Sequence, residues 1–142
     1  MSDDIYREII LDHYRNPRNK GKLDMSDVSV HDSNPLCGDE IDIHMKVSGG
    51  KIEDIKFEGR GCAISQASAS MLTEMVIGKE LDVIKDLKKE DILENIGLTN
   101  LGPARIKCAL LSLKVLKVGM VKYYVERDPE SAQKMKEESM PY

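Results

Sequence analysis

The chain has no tryptophan and a single phenylalanine, Phe57, and aromatic residues make up only 4% of its 142 positions. Any core must therefore be aliphatic, with methionine as the adaptable filler, and eight methionines are available for that role. No apolar run approaches the ~20 residues of a membrane-spanning helix, so no membrane role is expected. Positive charge is not in excess: 21 Lys and Arg stand against 25 Asp and Glu, a formal net charge of −4. That balance argues against a nucleic-acid partner, because phosphate neutralisation needs a basic surface. The opening Met1-Ser2-Asp3-Asp4 is acidic, unlike a signal or transit peptide. Cysteine is scarce as well, with only Cys37, Cys62 and Cys108. An odd number cannot pair fully within one chain, so we expect reduced thiols and a cytoplasmic location.

What is present is enough for one globular domain. Apolar residues make up 41% of the chain, which excludes global disorder. The pattern predicts one domain over residues 1–125 and a charged, loosely held tail over 126–142. Ser2 is placed to cap a first helix, with Asp3 and Asp4 in its first turn. That helix should stop by Asn16, because Pro17 disfavours helical geometry in the residue before it. A basic loop with Arg15, Arg18, Lys20 and Lys22 follows, then a short strand over Val28–His31. Ile41, Ile43, Met45 and Val47 alternate with Asp42, His44 and Lys46, the period-two signature of a half-buried strand. Ser48-Gly49-Gly50-Lys51 turns the chain into a second strand over Ile52–Glu58, giving an antiparallel hairpin. Gly59-Arg60-Gly61 breaks it. A helix rich in small residues runs from Ala63 to Ile77, and Gly78 suits its stop. Short helices fall between Asp82 and Asn95. The last long helix starts at Pro103, a favourable first-turn residue, and runs to about Tyr124. Asp128-Pro129 offers the start of a further short helix. The expected class is α+β, a small antiparallel sheet with helices packed against it.

Each cysteine falls at an element boundary. Cys37 lies in the turn-forming segment Asn34-Pro35-Leu36-Cys37-Gly38-Asp39, just before the best strand. Cys62 follows Gly59-Arg60-Gly61, where strand gives way to helix. Cys108 lies near the start of the last helix, beside Lys107. Glycine lets backbone approach a bound group closely, and a helix N-terminus favours the thiolate, the form that binds metal or attacks sulfur. Plain core filling would not place all three thiols this way. The gaps, 24 and 45 residues, match neither zinc-ribbon nor ferredoxin spacing. Cys37-Gly38-Asp39 adds a carboxylate. Three thiolates and one carboxylate make four ligands, enough for a tetrahedral ion or one [2Fe–2S] unit. A hard carboxylate holds a soft metal less firmly than a fourth thiolate would. The simpler reading of Asp39 is a turn carboxylate that accepts backbone N–H bonds.

Four ordered segments carry a resemblance. They are Asp12-His13-Tyr14-Arg15-Asn16-Pro17-Arg18-Asn19, Asn34 to Asp39, Gly59 to Ser70, and Pro103 to Cys108. Together they resemble the U-type iron–sulfur cluster assembly scaffolds, the family of IscU, SufU and the NifU N-terminal domain, over roughly Tyr6 to Lys117. The resemblance implies cysteines clustered at one exposed end of the fold. It implies Cys37, Cys62 and Cys108 as cluster ligands and Asp39 as the residue that keeps the cluster labile. It also implies the function. A cysteine desulfurase supplies sulfur, iron is added, and a [2Fe–2S] cluster is built and handed to apo iron–sulfur proteins. Homo-oligomers are compatible with this. The alternative is a sulfur-transfer protein that holds Zn2+ at the same four residues and accepts persulfide sulfur. Cys108, at a helix start beside a lysine, is the expected persulfide acceptor. The subtype is mixed. Pro103-Ala104-Arg105-Ile106-Lys107-Cys108 is SufU-like and has Lys107 where IscU proteins carry His. The SufU insertion between the second and third cysteines is missing.

The remaining candidates have plainer readings. His13, His31 and His44 are expected to be structural or solvated, and Met71 and Met75 to be core. The basic loop is either a solvated turn or a docking patch for an acidic surface. A Cys–His hydrolase would need an imidazole in a motif beside one of the thiols, and none is so placed.

Overall fold

A computed structural model describes residues 3–35, 38–97 and 101–138. Ser2, expected as the first helix cap, and Cys37 lie outside these residues. The order of elements is α1 (Asp3–Arg15), β1 (Val28–Asn34), β2 (Asp39–Ser48), β3 (Lys51–Arg60), α2 (Ala63–Val76), α3 (Leu81–Ile84), α4 (Lys89–Ile96), α5 (Pro103–Arg127) and α6 (Pro129–Glu138). The strands form one antiparallel sheet in the order β1-β2-β3. The class is α+β, as the pattern predicts.

The alternation in β2 sets the layers. Ile41, Ile43 and Met45 are buried, and pack with Ile52, Ile55 and Phe57 of β3 into the core. Helices α2 and α5 cover this apolar face. Asp42 and His44 project from the opposite face. β1 is longer than its own sequence indicates. Its register with β2, from Val28↔Met45 to Asn34↔Asp39, draws Asp32, Ser33 and Asn34 into the ladder although they carry no strand pattern. β3 likewise runs through Gly59 to Arg60. Glu40's carbonyl lies so close to Gly59 that a β-carbon there would collide with it. The outer edge of β3 is protected from pairing with other chains. Phe57 N–H donates to Asn19 O (2.9 Å) and Gly21 N–H donates to Phe57 O (2.9 Å), while Ile52 N–H donates to Lys79 O (3.0 Å).

Helix α2 is buried on nearly every side, from Ile64 to Thr73. Its small residues admit α1 on one flank and α5 on the other, and its hydroxyls become the connectors. Ser68 Oγ donates to Ala109 O of α5 (2.6 Å). Ser70 Oγ accepts from the Arg18 N–H (2.9 Å) and bonds to His13 Nδ1 (2.8 Å). His13 is thus a buried connector between α1 and α2, the structural one of the two roles expected for it. Burial of the ring, reinforced by the Arg18 charge and opposed by Glu74, pushes its pKa below the ordinary histidine value.

Gly97 ends α4 in the left-handed region, at φ 77°, and a β-carbon there would strike the Tyr6 ring. Part of the segment expected to be a loose tail is packed instead. α5 continues to Arg127, and α6 folds back on it, burying Ala132 and Met135. Two apolar residues at i, i+3 spacing are enough to seat a short helix, and the surrounding charge hides them in the sequence. Among the described residues no helix is long and apolar enough to cross a membrane.

Candidate metal centre

Three elements meet at one end of the sheet. β2 begins with Asp39, α2 begins immediately after Cys62, and Cys108 lies in the second turn of α5. One ligand atom from each of Asp39, Cys62 and Cys108 falls within 4.8 Å of the other two. Residues from three separate parts of the chain therefore form one cluster, which joins three of the four sequence candidates. The fourth, Cys37, precedes Asp39 by two positions, in the connection whose ends are joined by the Asn34↔Asp39 pair. Gly38 N–H donates to Asn34 O (2.8 Å) in the same turn.

Asp39 is fully buried, at 0% exposure. A buried carboxylate needs partners, and its two oxygens find different ones. Oδ1 accepts the Cys62 backbone N–H at 2.8 Å. Oδ2 faces the Cys62 thiol, with Sγ at 3.6 Å. One oxygen of Asp39 therefore accepts a backbone N–H, as the simpler reading of this carboxylate expects though from Cys62 rather than its own turn, and the other is turned toward a thiol. Gly61 makes this approach feasible. Its φ is +143°, and a β-carbon would overlap the Asp39 carboxylate. The glycine before Cys62 was a signal of close backbone approach; the group approached is Asp39.

The thiols differ in setting. Cys62 is the N-cap residue of α2 and partly open, whereas Cys108 is buried. The helix-terminus argument attached to Cys108 moves accordingly. Cys108 is the sixth residue of α5, past the first turn in which the dipole acts, and it is Cys62 that stands at a helix start. Lys107 is exposed. It contributes to a groove of about 510 Å3 bounded by Lys89, Lys107 and Lys114 and floored by Ile106, Leu110 and Leu111. Lys89, brought in by α4, carried no sequence signal for this position. Arg60, next to Gly61, pairs with Glu40, next to Asp39.

The donor set suits a soft or borderline ion. Two sulfurs and a carboxylate oxygen converge; Cys37, expected from the sequence as a further ligand, lies outside the described residues. Such a set fits zinc or the irons of an iron–sulfur cluster and does not fit a hard, all-oxygen ion.

Known proteins share this arrangement of chain and fold. The profile described as the NifU-like N-terminal domain matches residues 5–129. The zinc-dependent sulfurtransferase SufU of Bacillus subtilis is 45% identical over 136 residues, covering 84% of this chain and 92% of the relative. The iron–sulfur cluster assembly scaffold protein IscU of Thermotoga maritima is 39% identical over 133 residues, covering 83% of this chain and 94% of the relative. A crystal structure from Fervidobacterium islandicum, described as an iron–sulfur cluster assembly scaffold protein for the SUF system, superposes with a TM-score of 0.69 at 33% identity. It covers 84% of this chain and 99% of its own. With the profile spanning nearly the whole described fold, and SufU and IscU relatives matched along most of their length, the chain belongs to the NifU-like N-terminal domain family.

Proposed function

We propose that the chain is a scaffold on which a [2Fe–2S] cluster is assembled from iron and desulfurase-derived sulfur and then passed to apo iron–sulfur proteins in the cytoplasm. The observation that carries this reading is the convergence of Asp39, Cys62 and Cys108 within 4.8 Å. Cys37 completes the ligand set in the proposal. Cluster cargo has to be held and released, and a carboxylate among thiolates lowers the affinity for soft iron relative to four thiolates.

Sulfur arrives as a persulfide on a cysteine desulfurase. In the proposal the Cys108 thiolate attacks the outer sulfur, the S–S bond of the donor breaks, and the donor thiolate leaves. Two electrons from a separate reductant are needed to release that sulfur as sulfide. The lysine-rimmed groove lined by Ile106, Lys107, Leu110 and Leu111 lies on the same helix as Cys108 and supports docking of a partner segment on α5, although Cys108 itself is buried and does not line it. The N-cap position of Cys62 favours the other thiol.

A second reading has its own support. The Bacillus subtilis relative is named a zinc-dependent sulfurtransferase. In that reading Zn2+ sits on the same residues, holds the thiols as thiolates, and the protein relays persulfide sulfur without building a cluster. One experiment separates the two. The purified chain is given iron, sulfide and reductant under anaerobic conditions, and its visible spectrum and metal content are recorded. Charge-transfer bands with about two irons per chain are expected. A chain that retains only zinc and stays colourless is a sulfur-transfer protein.

A further inference from the structure

The two described thiols of the metal centre are close enough to react with each other. Both are free, and their sulfurs lie within 4.8 Å. Helix packing, not a loop, sets that distance. Cys62 is the N-cap residue of α2, and Cys108 lies in the second turn of α5. Ser68 Oγ of α2 donates to the carbonyl of Ala109, the neighbour of Cys108, at 2.6 Å and ties the two helices together beside the pair. Groups held on packed helices do not pay the entropy of finding each other. Rotation of the Cys62 side chain, the less confined of the two, is the movement that brings the sulfurs into contact.

The pair is also unequal. Cys62 is partly open, whereas Cys108 is 3% exposed. Thiol–disulfide exchange needs access to only one sulfur of the bond that is attacked. A bond between these two cysteines therefore presents the Cys62 sulfur to the outside and keeps Cys108 as the leaving group. Whichever thiol receives a sulfur atom, the other already stands beside it.

We propose that Cys62 and Cys108 act as a resolving pair that frees the transferred sulfur as sulfide. This rests on persulfide acceptance at the cysteine end, which both functional readings share. With the persulfide on Cys108, the Cys62 thiol attacks Cys108 Sγ. The bond from Cys108 Sγ to the outer sulfur breaks and a Cys62–Cys108 disulfide forms. The outer sulfur leaves as hydrogen sulfide, taking the hydrogens of the thiol and the persulfide. Counted from zero-valent sulfur and the two thiols, the pair has supplied two electrons. A persulfide on Cys62 gives the same products by attack of Cys108 on Cys62 Sγ. The step belongs to the metal-free chain, because a bound ion would hold both sulfurs. The separate reductant then enters at a protein disulfide, and its chemical class is a dithiol. It attacks Cys62 Sγ, expels the Cys108 thiolate, and is itself oxidised to a disulfide as both thiols are restored.

The test uses the full chain, stripped of metal by a chelator, reduced, and freed of small thiols. It is mixed anaerobically with a cysteine desulfurase that carries persulfide and no free cysteine. Sulfide is assayed, and the cysteines are mapped by mass spectrometry after free thiols are trapped. The native chain releases about one sulfide for each disulfide formed, without added reductant, and the map joins Cys62 to Cys108. Cys62→Ser and Cys108→Ser release no more sulfide than the desulfurase alone and keep the persulfide. The map of the native chain decides the matter even if a serine variant fails to fold. A native chain that keeps its persulfide and frees no sulfide overturns the proposal and leaves sulfur acceptance standing. A chain that takes up no sulfur in any form overturns both. A disulfide that joins Cys37 to either thiol overturns the assignment of the resolving pair.

Discussion

β2 carries polar side chains into two different settings. At its first residue Asp39 is sealed from water between a glycine and a helix N-cap, with one oxygen bound to backbone and the other turned to a thiol. A few residues on, Asp42 and His44 stand on the open face of the sheet among other side chains. At the first place the position of the carboxylate is fixed by backbone, because Gly61 and the Cys62 N–H leave one location for it. At the second it is fixed by cross-strand neighbours that solvent and salt can replace. The difference separates a site whose geometry is held by backbone from one whose geometry is held by neighbouring side chains.

The comparison breaks most completely if a thiol is removed. Cys62→Ser or Cys108→Ser should reduce metal retention at the cysteine end by more than about 100-fold, beyond the 10–100-fold typical of losing an outer partner. Metal content after dialysis against a chelator measures this. The next largest effect is expected at Gly61. Gly61→Ala forces a β-carbon into the Asp39 carboxylate at a φ that L-residues rarely adopt. It should cost about 1–3 kcal/mol in urea unfolding and loosen the metal site with it.

The division of labour within Asp39 gives a finer test. Asp39→Ala leaves the Cys62 N–H without its acceptor, which should destabilise the metal-free chain by about 1–3 kcal/mol. Asp39→Asn keeps an oxygen for that N–H and removes the charged oxygen. Both variants should release the cluster to apo-ferredoxin more slowly than the native chain, and only Asp39→Ala should also lower the melting temperature. Equal melting losses in the two would make Asp39 a structural residue alone.

These effects also mark what was legible in advance. The β2 alternation, the Gly59–Gly61 break and the Pro103 start located the three segments that carry the candidate ligands, because those signals are local and backbone-encoded. The burial of His13 was not legible, since its partner Ser70 lies 57 residues away and a hydroxyl in a small-residue helix looks like any other. The seat of α6 was hidden by the charge around Ala132 and Met135. The pairing of His44 with Ser29 and Glu58 exists only through strand register, which sequence alternation constrains to a face but not to a neighbour.

His13 supplies a pH test of the helical side of this contrast. Its folded pKa lies below its ordinary 6.5, so the unfolded chain takes up the proton first as pH falls. The stability that neutral His13 provides is complete above about 6.5 and declines as pH drops toward the folded value. His13→Gln should flatten that part of the stability–pH curve, read from melts in steps of half a unit. A smaller effect is expected at Lys22. Its pairing with Glu58 spans 4.0 Å in solvent, so Lys22→Ala should change stability by no more than about 0–1 kcal/mol. A larger loss would mean that the open face is more rigid than its exposure implies.

The claim that Asp39, Cys62 and Cys108 form one metal site is tested most directly by X-ray absorption at the metal edge. The full chain is loaded with a single equivalent of zinc, an ion that suits the same sulfur and carboxylate donors. The account predicts a shell dominated by sulfur at about 2.3 Å, with amplitude that falls in Cys62→Ser and in Cys108→Ser. A shell of nitrogen and oxygen alone, or a sulfur shell unchanged by both substitutions, would contradict it.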